Sequence, residues 1–142
     1  MRSNEAGIKV FGAEIPGVTY LPRPAAYAII RGAKGEVAAV KTERGHFLPG
    51  GGSEFGETPE ETVRREVREE LAREVRIKGE PASVVQYLYA DWQYYRMEAT
   101  FYEADFEGGA TGAGEYEICW VEPDELKGSF FHESHEWAAK NL

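Results

Sequence analysis

The chain has 142 residues, of which 42% are hydrophobic and 29% are charged. This length suits one domain with its own core, and the composition excludes a disordered chain. The 16 basic and 25 acidic residues give a formal net charge of −9, which argues against a protein that binds nucleic acid through its phosphates. We therefore expect a single domain over residues 1–142 and no nucleic-acid partner.

Cysteine usage and hydropathy bear on the cellular compartment. The single Cys119 excludes an internal disulfide framework and a zinc site built from several cysteines. No apolar stretch approaches the roughly 20 residues that span a bilayer, and the first residues lack the apolar segment of a secretory signal. We expect a cytoplasmic protein with no membrane partner.

The first half of the chain predicts a lead-in over residues 1–22 and then a β-hairpin. The apolar run Ala25–Arg31 and the segment Glu36–Lys41 are typical of strands, and Gly32–Gly35 between them is typical of a turn. A glycine-rich loop follows at Gly50–Gly52.

A helix is predicted directly after this loop. Thr58 suits the N-cap, Pro59 the first helical position, and Glu61 the reciprocal position of a capping box. We expect the helix to run to about Ala72 or Arg73.

The second half predicts further strands and a last helix. The aromatic stretch Trp92–Tyr95 and the glycine-rich stretch Phe106–Gly114 are expected to be loops. His132 and His135 are three residues apart, which favours a packed or surface helix over residues 132–142 rather than a zinc motif. The expected strands are Val75–Ile77, Ser83–Tyr89, Met97–Asp105 and Glu115–Val121. Together the elements predict an α/β fold with a mixed sheet flanked by helices.

Three glutamates share one face of the middle helix. Glu66, Glu69 and Glu70 have i, i+3, i+4 spacing, and like charges at that spacing repel one another. One interpretation is a solvated face neutralised by the interleaved arginines. The other is a site for Mg²⁺ or Mn²⁺, which bind several carboxylate oxygens.

The segment from Gly51 to Arg73 resembles the Nudix box, G-x5-E-x7-R-E-U-x-E-E-x-G-U, in which U is bulky and aliphatic. The matching positions are Gly51, Glu57, Arg65, Glu66, Val67, Glu69 and Glu70. The pattern is broken at its end, where Ala72 replaces a glycine and Arg73 an aliphatic residue, which puts the helix terminus in doubt.

The resemblance implies a Nudix-type (MutT-like) α/β/α sandwich and a hydrolase that depends on Mg²⁺, with Mn²⁺ as an alternative. Its substrate would be a small-molecule nucleotide, a nucleoside diphosphate linked to a group X, cleaved by attack of water on a phosphorus. Modified (d)NTPs, nucleotide sugars and dinucleoside polyphosphates all fit this description. Many relatives dimerise, so a homodimer is also compatible with the resemblance.

The resemblance also implies roles for individual residues. Glu66, Glu69, Glu70 and the carbonyl of Gly50 would hold the metal, with Glu66 or Glu69 as an alternative group to orient or deprotonate the water. A glutamate outside the box, Glu115 or Glu117, would join them. Gly51, Glu57 and Arg65 would support the site, and we expect Glu57 and Arg65 to pair and hold the glycine loop against the helix.

Base recognition must come from outside the box. Tyr89 and Trp92 belong to an aromatic stretch that either stacks a nucleobase or packs in the core. The glycine-rich stretch 106–114 is a second candidate for this border. Three basic residues near the predicted hairpin either face phosphates or are ordinary surface charges: Arg23, Lys41 and Arg44.

The sequence is also compatible with two other functional classes. A Nudix-fold module that binds or senses nucleotides without cleaving them would have no need for mutually repulsive carboxylates. An acidic domain that uses its glutamates only for solubility would bind Mg²⁺ weakly and without defined stoichiometry.

Overall fold

The computed structural model describes residues 2–142. It contains nine strands, two α-helices, α1 (Pro59–Leu71) and α2 (Glu133–Asn141), and a short 3-10 helix at Pro123–Glu125. The strands are β1 (Arg2–Ser3), β2 (Lys9–Phe11), β3 (Leu21–Ile30), β4 (Val37–Thr42), β5 (Gly45–Phe47), β6 (Gly50–Gly52), β7 (Glu74–Ala90), β8 (Gln93–Glu107) and β9 (Cys119–Val121). Within the described residues, no helix is long and apolar enough to cross a membrane.

The strands form two sheets. The larger is mixed and six-stranded, in the order β1-β2-β7-β8-β3-β6, with parallel β2–β7 and β3–β8 pairs. The smaller is antiparallel, in the order β5-β4-β9. The predicted mixed sheet flanked by helices is therefore confirmed.

Strand β3 separates two hydrophobic cores. Ala25, Tyr27 and Ile29 face one core, which includes Ala138 and Ala139 of α2. The alternate residues Ala26, Ala28 and Ile30 face the other, which includes Val63, Val67 and Leu71 of α1. Because successive side chains of a strand point to opposite faces, this apolar run is buried on both sides and holds the two helices on opposite faces of the sheet.

The predicted hairpin of Ala25–Arg31 and Glu36–Lys41 is wrong. The two strands belong to different sheets, and the strand pairing between them in the described residues is limited to an isolated bridge between Arg31 and Val37. The strand partners of β3 are β8 along one edge and β6 along Ala25–Tyr27 of the other. Strand β4 pairs instead with β5 and β9.

The aromatic stretch is a tight turn rather than a loop over 92–95. Asp91 and Trp92 have φ of 50° and 64°, and Tyr94 and Tyr95 already belong to β8. The strands predicted at 75–77 and 83–89 are one strand, β7, with an irregularity between Lys78 and Ala82. The residues that were expected to form a loop thus form one end of a long hairpin.

The strand predicted over Glu115–Val121 begins only at Cys119. The amides of Glu115 and Tyr116 donate to the carbonyls of Glu69 and Glu70 and so are not available for strand pairing. The segment preceding β9 is consequently a loop packed on the end of α1.

Candidate active site

Helix α1 begins and ends with local signals that fix its position. Thr58 is the N-cap, its side chain accepts from the amide of Glu61, and the Glu61 side chain accepts from the amide of Thr58. The helix ends at Leu71, and Ala72 adopts the left-handed conformation with φ of 53°, the place where the family pattern has glycine. The Ala72 carbonyl accepts from the amide and hydroxyl of Thr111, which compensates for the unfavourable residue.

Strand β6 brings the glycine backbone against the glutamates. The amide of Gly50 donates to Oε1 of Glu70 at 3.0 Å. A Cβ on Gly50, whose φ is 146°, would lie 2.2 Å from the carbonyl oxygen of Ala26, and one on Gly51 would lie 2.8 Å from Cδ of Glu66. Glycine is required here because any side chain would displace either strand β3 or a carboxylate.

Arg65 connects the glycine strand with several carboxylates. Its Nε and Nη2 donate to the two carboxylate oxygens of Glu57 at 2.7 and 2.9 Å, and Nη2 also donates to the carbonyl of Gly52 at 3.0 Å. Its Nη1 donates to Glu66 at 2.8 Å and to Glu69 at 3.2 Å. The two-point contact between Glu57 and Arg65 joins the loop to the helix, in the way the spacing predicts.

The glutamates of α1 disturb one another's ionisation. Burial, followed by the charges of Glu66, Glu115 and Glu69, raises the pKa of Glu70 to about 8. Burial also raises the pKa of Glu66, and Glu69 and Glu115 add to the rise while Arg65 opposes it. Close carboxylates with raised pKa values are stabilised by a bound cation, since it favours the ionised forms.

The donor set fits a hard divalent cation in chemistry, but it is not arranged as a closed cage. Among residues 2–142, no three His, Cys, Asp or Glu side chains converge as a ready-made metal site. Glu66 and Glu69 are hydrogen-bonded to Arg65, so a cation at these carboxylates would compete with the guanidinium. Carboxylate and carbonyl oxygens are the ligands that Mg²⁺ prefers, with several waters retained.

Of the two glutamates considered outside the box, Glu115 is the one placed beside the helix face. The amide of Glu115 donates to the carbonyl of Glu69 at 3.1 Å, and its charge raises the pKa values of Glu66 and Glu70. This approach depends on Gly114, where a Cβ would lie 2.3 Å from the carbonyl oxygen of Glu70. Glu117 lies two residues further along the same loop.

A cavity of about 320 Å³ opens beside the glutamates. Its lining includes Gly50–Gly52, Glu66 and Glu70, and it also includes Arg23, which lies beside Gly52, and Arg44. We call the part of the lining formed by Arg23, Arg44, Phe131 and His132 the basic wall. The cavity is therefore lined by both carboxylates and guanidinium groups, which suits an anionic substrate held partly through a cation.

The basic wall also carries aromatic side chains. Phe131 stacks on Phe47 with ring centroids 5.4 Å apart, yet its side chain stays 41% exposed. The guanidinium of Arg44 lies 6.0 Å from the centroid of the Phe131 ring and forms an ion pair with Asp91 at 2.9 Å. His132, at the N-cap of α2, is buried beside them.

Three residues were expected to bind substrate, Arg23, Tyr89 and Trp92, and they differ in their position relative to the cavity. Arg23 lines the cavity, with its guanidinium over the Tyr95 ring at 5.3 Å and its Nε 3.7 Å from the position of a Cβ on Gly52. Tyr89 packs against Tyr94 at 4.7 Å, and Trp92 is 91% exposed in the hairpin turn. Among the described residues, neither Tyr89 nor Trp92 lines the cavity.

Of the residues of the basic wall, Arg23 and Arg44 were candidates for facing phosphates, whereas sequence reasoning missed Phe131 and His132. Arg44 follows β4, whereas Phe131 and His132 directly precede α2. Only the fold brings these two segments together, so no local pattern marks them.

Comparison with known proteins agrees with this geometry. The NUDIX domain model matches residues 21–141. No curated protein sequence gives a significant match. A MutT protein from Methanosarcina mazei Go1 is similar in structure, with a TM-score of 0.66 and 19% identity, covering 87% of this chain and 94% of that one. A MutT NUDIX hydrolase from Burkholderia pseudomallei has a TM-score of 0.64 and 22% identity, with coverage of 85% and 98%.

A third similar structure is an ADP-ribose pyrophosphatase from Streptococcus suis 89-1591, with a TM-score of 0.56 and 19% identity, covering 85% of this chain and 84% of that one. At these identities the structural neighbours establish the fold, and the family model covers most of the chain. Together with the glutamate helix against a glycine strand, they show that this chain belongs to the NUDIX domain family, whose enzymes are hydrolases.

Proposed function

We propose that the protein hydrolyses a nucleoside diphosphate linked to a group X, with a divalent cation, preferably Mg²⁺, as cofactor. The observation that carries this proposal is the close approach of Glu66 and Glu70 to Gly50 and Gly51 in a cavity that is also lined by Arg23 and Arg44. In the reaction, a water oxygen bonds to a phosphorus and a bridging P–O bond of the anhydride breaks.

We assign the metal to Glu66, Glu69, Glu70 and the carbonyl of Gly50, with Glu115 rather than Glu117 as the additional carboxylate. When bound, the cation supplies charge neutralisation and orientation of the phosphates. Gly51 allows Glu66 to approach the strand, and Glu57 and Arg65 hold this strand against α1. Proximity of Glu115 to Glu66 and Glu70 supports its choice.

Arg23 is assigned to the phosphates. Its guanidinium lies beside Gly52, at the end of the glycine strand, and rests on the Tyr95 ring. A guanidinium held in this way can donate two parallel hydrogen bonds to the oxygens of a phosphoryl group that the cation does not neutralise.

The nucleobase is assigned to the open surface of Phe131 rather than to Trp92. Phe131 is supported from behind by Phe47, and Arg44 and Asp91 offer donors and acceptors at the same end of the cavity. Stacking of a base on an aromatic ring contributes about 1–3 kcal/mol. A second, more open cavity of about 740 Å³ shares Arg44 and Phe47 with the first and gives room for the group X.

A panel of nucleotides with Mg²⁺ tests the activity. The panel contains modified dNTPs, nucleotide sugars and dinucleoside polyphosphates, and formation of the two phosphorylated products is measured by chromatography with and without EDTA. We expect Mg²⁺-dependent product formation from at least one class. Saturable nucleotide binding by calorimetry without turnover of any of them would favour the non-catalytic module instead.

A pair of matched variants tests the base site. Phe131→Ala should raise KM about tenfold with a smaller change in kcat, because it removes a stacking surface. Trp92→Ala should leave KM within about twofold, since Trp92 lies in the hairpin turn outside the cavity. The reverse pattern, with a KM effect at Trp92 only, would return the base site to the aromatic hairpin.

We also propose that the protein is cytoplasmic and forms a homodimer. Light scattering of the purified protein tests the dimer: a mass near 15.9 kDa at micromolar concentration would contradict it. Fractionation of the producing cells tests the location.

A further inference from the structure

The segment between β5 and β6 consists of Leu48 and Pro49, and it leads directly to Gly50. Pro49 has no amide hydrogen to donate, so the amides of Leu48 and Gly50 are the two donors of this short path. Gly50 donates to Oε1 of Glu70 on α1 at 3.0 Å, and Leu48 donates to Nδ1 of His135 on α2 at 3.1 Å. The carbonyl of Pro49 accepts from Ala28 of β3 at 2.8 Å. Side chains from both helices therefore fix the path that delivers Gly50 to the glutamates.

His135 is enclosed completely. Its side chain is 0% exposed, and its ring contacts the ring of Tyr27 with centroids 4.2 Å apart. The other rings within 6.5 Å of it belong to His132, Phe47, Phe101 and Phe130. The bond to the Leu48 amide is thus formed away from water, where a lost acceptor is not replaced by solvent.

The hydrogen-bond geometry selects one form of the His135 ring. Because the Leu48 amide is a donor, Nδ1 is unprotonated and the neutral ring carries its proton on Nε2. Nε2 has no hydrogen-bond partner within residues 2–142, which leaves acceptance from Leu48 as the single hydrogen bond of the side chain. An apolar ring would fill the same space, so the imidazole is distinguished only by its acceptor.

We propose that His135 is a positioning residue of the active site: by accepting from the Leu48 amide, it holds the Leu48–Gly50 segment at the distance from α1 that the glutamate site needs. Tyr27 lies between His135 and Gly50. Its ring contacts the ring of His135, and its Cα and ring would collide with a Cβ on Gly50. The kinetic part of the proposal rests on the proposed function, whereas its structural part does not.

Two variants separate the acceptor from the ring. His135→Phe keeps an aromatic ring and removes the acceptor, and His135→Asn keeps an acceptor near the position of Nδ1 and removes most of the ring. Ser134→Ala is the matched control, because Ser134 is also fully buried on α2 and its hydroxyl has no hydrogen-bond partner among the described residues.

Amide hydrogen exchange in the metal-free protein provides the readout that needs no activity. We expect His135→Phe to accelerate exchange of the Leu48 and Gly50 amides at least tenfold more than that of amides in the middle of β8, and His135→Asn and Ser134→Ala to leave them near wild type. Equal acceleration throughout the chain in His135→Phe and His135→Asn would reduce His135 to a packing residue and overturn the proposal.

Kinetics of the folded variants provide the second readout. We expect kcat to fall at least tenfold in His135→Phe, with a higher Mg²⁺ concentration for half-maximal rate, and to stay within about threefold in His135→Asn although that variant packs less well. If kcat falls in proportion to the melting temperature in both His135→Phe and His135→Asn, the result would contradict the positioning role of His135. If the wild type hydrolyses none of the nucleotides, the proposed function fails, and the exchange data alone decide the proposal.

A measurement on the wild type covers the case in which His135→Phe does not fold. The ¹⁵N spectrum of labelled histidines should place the proton of His135 on Nε2 and leave Nδ1 unprotonated. A proton on Nδ1 would exclude the bond from Leu48 and overturn the proposal without any variant.

Discussion

Arg65 binds carboxylates that have different tasks in the proposed reaction. Glu57 belongs to the loop before α1, whereas Glu66 and Glu69 belong to the face assigned to the metal. The guanidinium therefore neutralises the face when no cation is present and holds the glycine strand at all times. This dual contact offsets part of the repulsion between Glu66 and Glu69.

The contacts of Arg65 predict a larger effect than an exposed ion pair would have. Arg65→Ala should lower kcat about 100-fold, because drift of the glycine strand by about 1 Å is enough for such a loss, and it should also lower the melting temperature. Glu57→Gln should have the same direction and a smaller effect, since the amide can still accept one hydrogen bond. Steady-state kinetics and thermal melts measure both.

Arg68→Ala is the control for these variants. Arg68 pairs with Glu74 at 2.8 Å, and both side chains are about half exposed, so its loss should change neither quantity appreciably. A kcat of Arg65→Ala close to that of Arg68→Ala would refute the role of Arg65.

The glutamates predict opposite effects on activity and on metal-free stability. Glu69→Gln and Glu70→Gln should each lower kcat at least about 100-fold in saturating Mg²⁺, through loss of charge at the transition state. In EDTA above about pH 8, where Glu70 is ionised, both should be as stable as the wild type or more stable, because a neutral side chain removes repulsion within the face. Near wild-type rates would disprove the metal assignment, and large stability losses in EDTA would indicate a structural role instead.

At the scale of elements, the loop between β8 and β9 is a cap for the end of α1. Amides of Thr111, Glu115 and Tyr116 donate to the last carbonyls of the helix, those of Ala72, Glu69 and Glu70, which otherwise have no partner within a helix. The loop thereby closes the helix and carries Glu115 to its glutamate face.

The close approach of this loop at Gly114 gives a prediction with a matched control. Gly114→Ala places a Cβ 2.3 Å from the carbonyl oxygen of Glu70, so the loop must move, at a cost of about 1–3 kcal/mol in the free energy of unfolding. Activity should fall as Glu115 is displaced. Gly109→Ala, where a Cβ meets nothing within 4 Å, should be nearly neutral in denaturant titrations and in kinetics; similar losses in both variants would exclude the close contact as the cause.

Elements with local signals could be predicted from the sequence, and those defined by distant partners could not. The start of helix α1 was predicted because Thr58, Pro59 and Glu61 act within one turn. The partner of β3 was missed because its neighbours β6 and β8 lie far along the chain. Likewise, Glu115 could not be distinguished from Glu117 by sequence, since the choice depends on amides that bond to the end of α1.

At the scale of the whole molecule, the net charge of −9 is distributed so that Arg23 and Arg44 face the cavity. The same two charges act on His132. Burial first, and then Arg23 and Arg44, lower the pKa of His132 to about 4. The basic wall that suits an anionic substrate therefore also keeps this histidine neutral.

This shift predicts a loss of stability in acid. The folded pKa of His132 lies below the usual 6.5, so its contribution is complete above pH 6.5 and is lost as the pH falls toward about 4. Between pH 7.5 and 5 the wild type should lose about 2 kcal/mol more in the free energy of unfolding than His132→Gln does. Urea titrations at both pH values measure this, with His46→Gln as a control for removal of a half-buried histidine. Equal losses in the wild type and His132→Gln would contradict it.

The parallel pairing of β3 with β8 has a consequence for the order in which the chain can fold. Ala25 lies opposite Ala99, and α1 and the glycine strand are both in the sequence between them. The entropy cost of closing so long a loop is met before the strand contacts form and stabilise the chain, and this lowers the folding rate. During synthesis, the ribosome therefore releases every residue from Gly50 to Glu70 before the strand that completes their support exists. A nascent chain that stops short of β8 should hold all the box residues and yet be unable to assemble them.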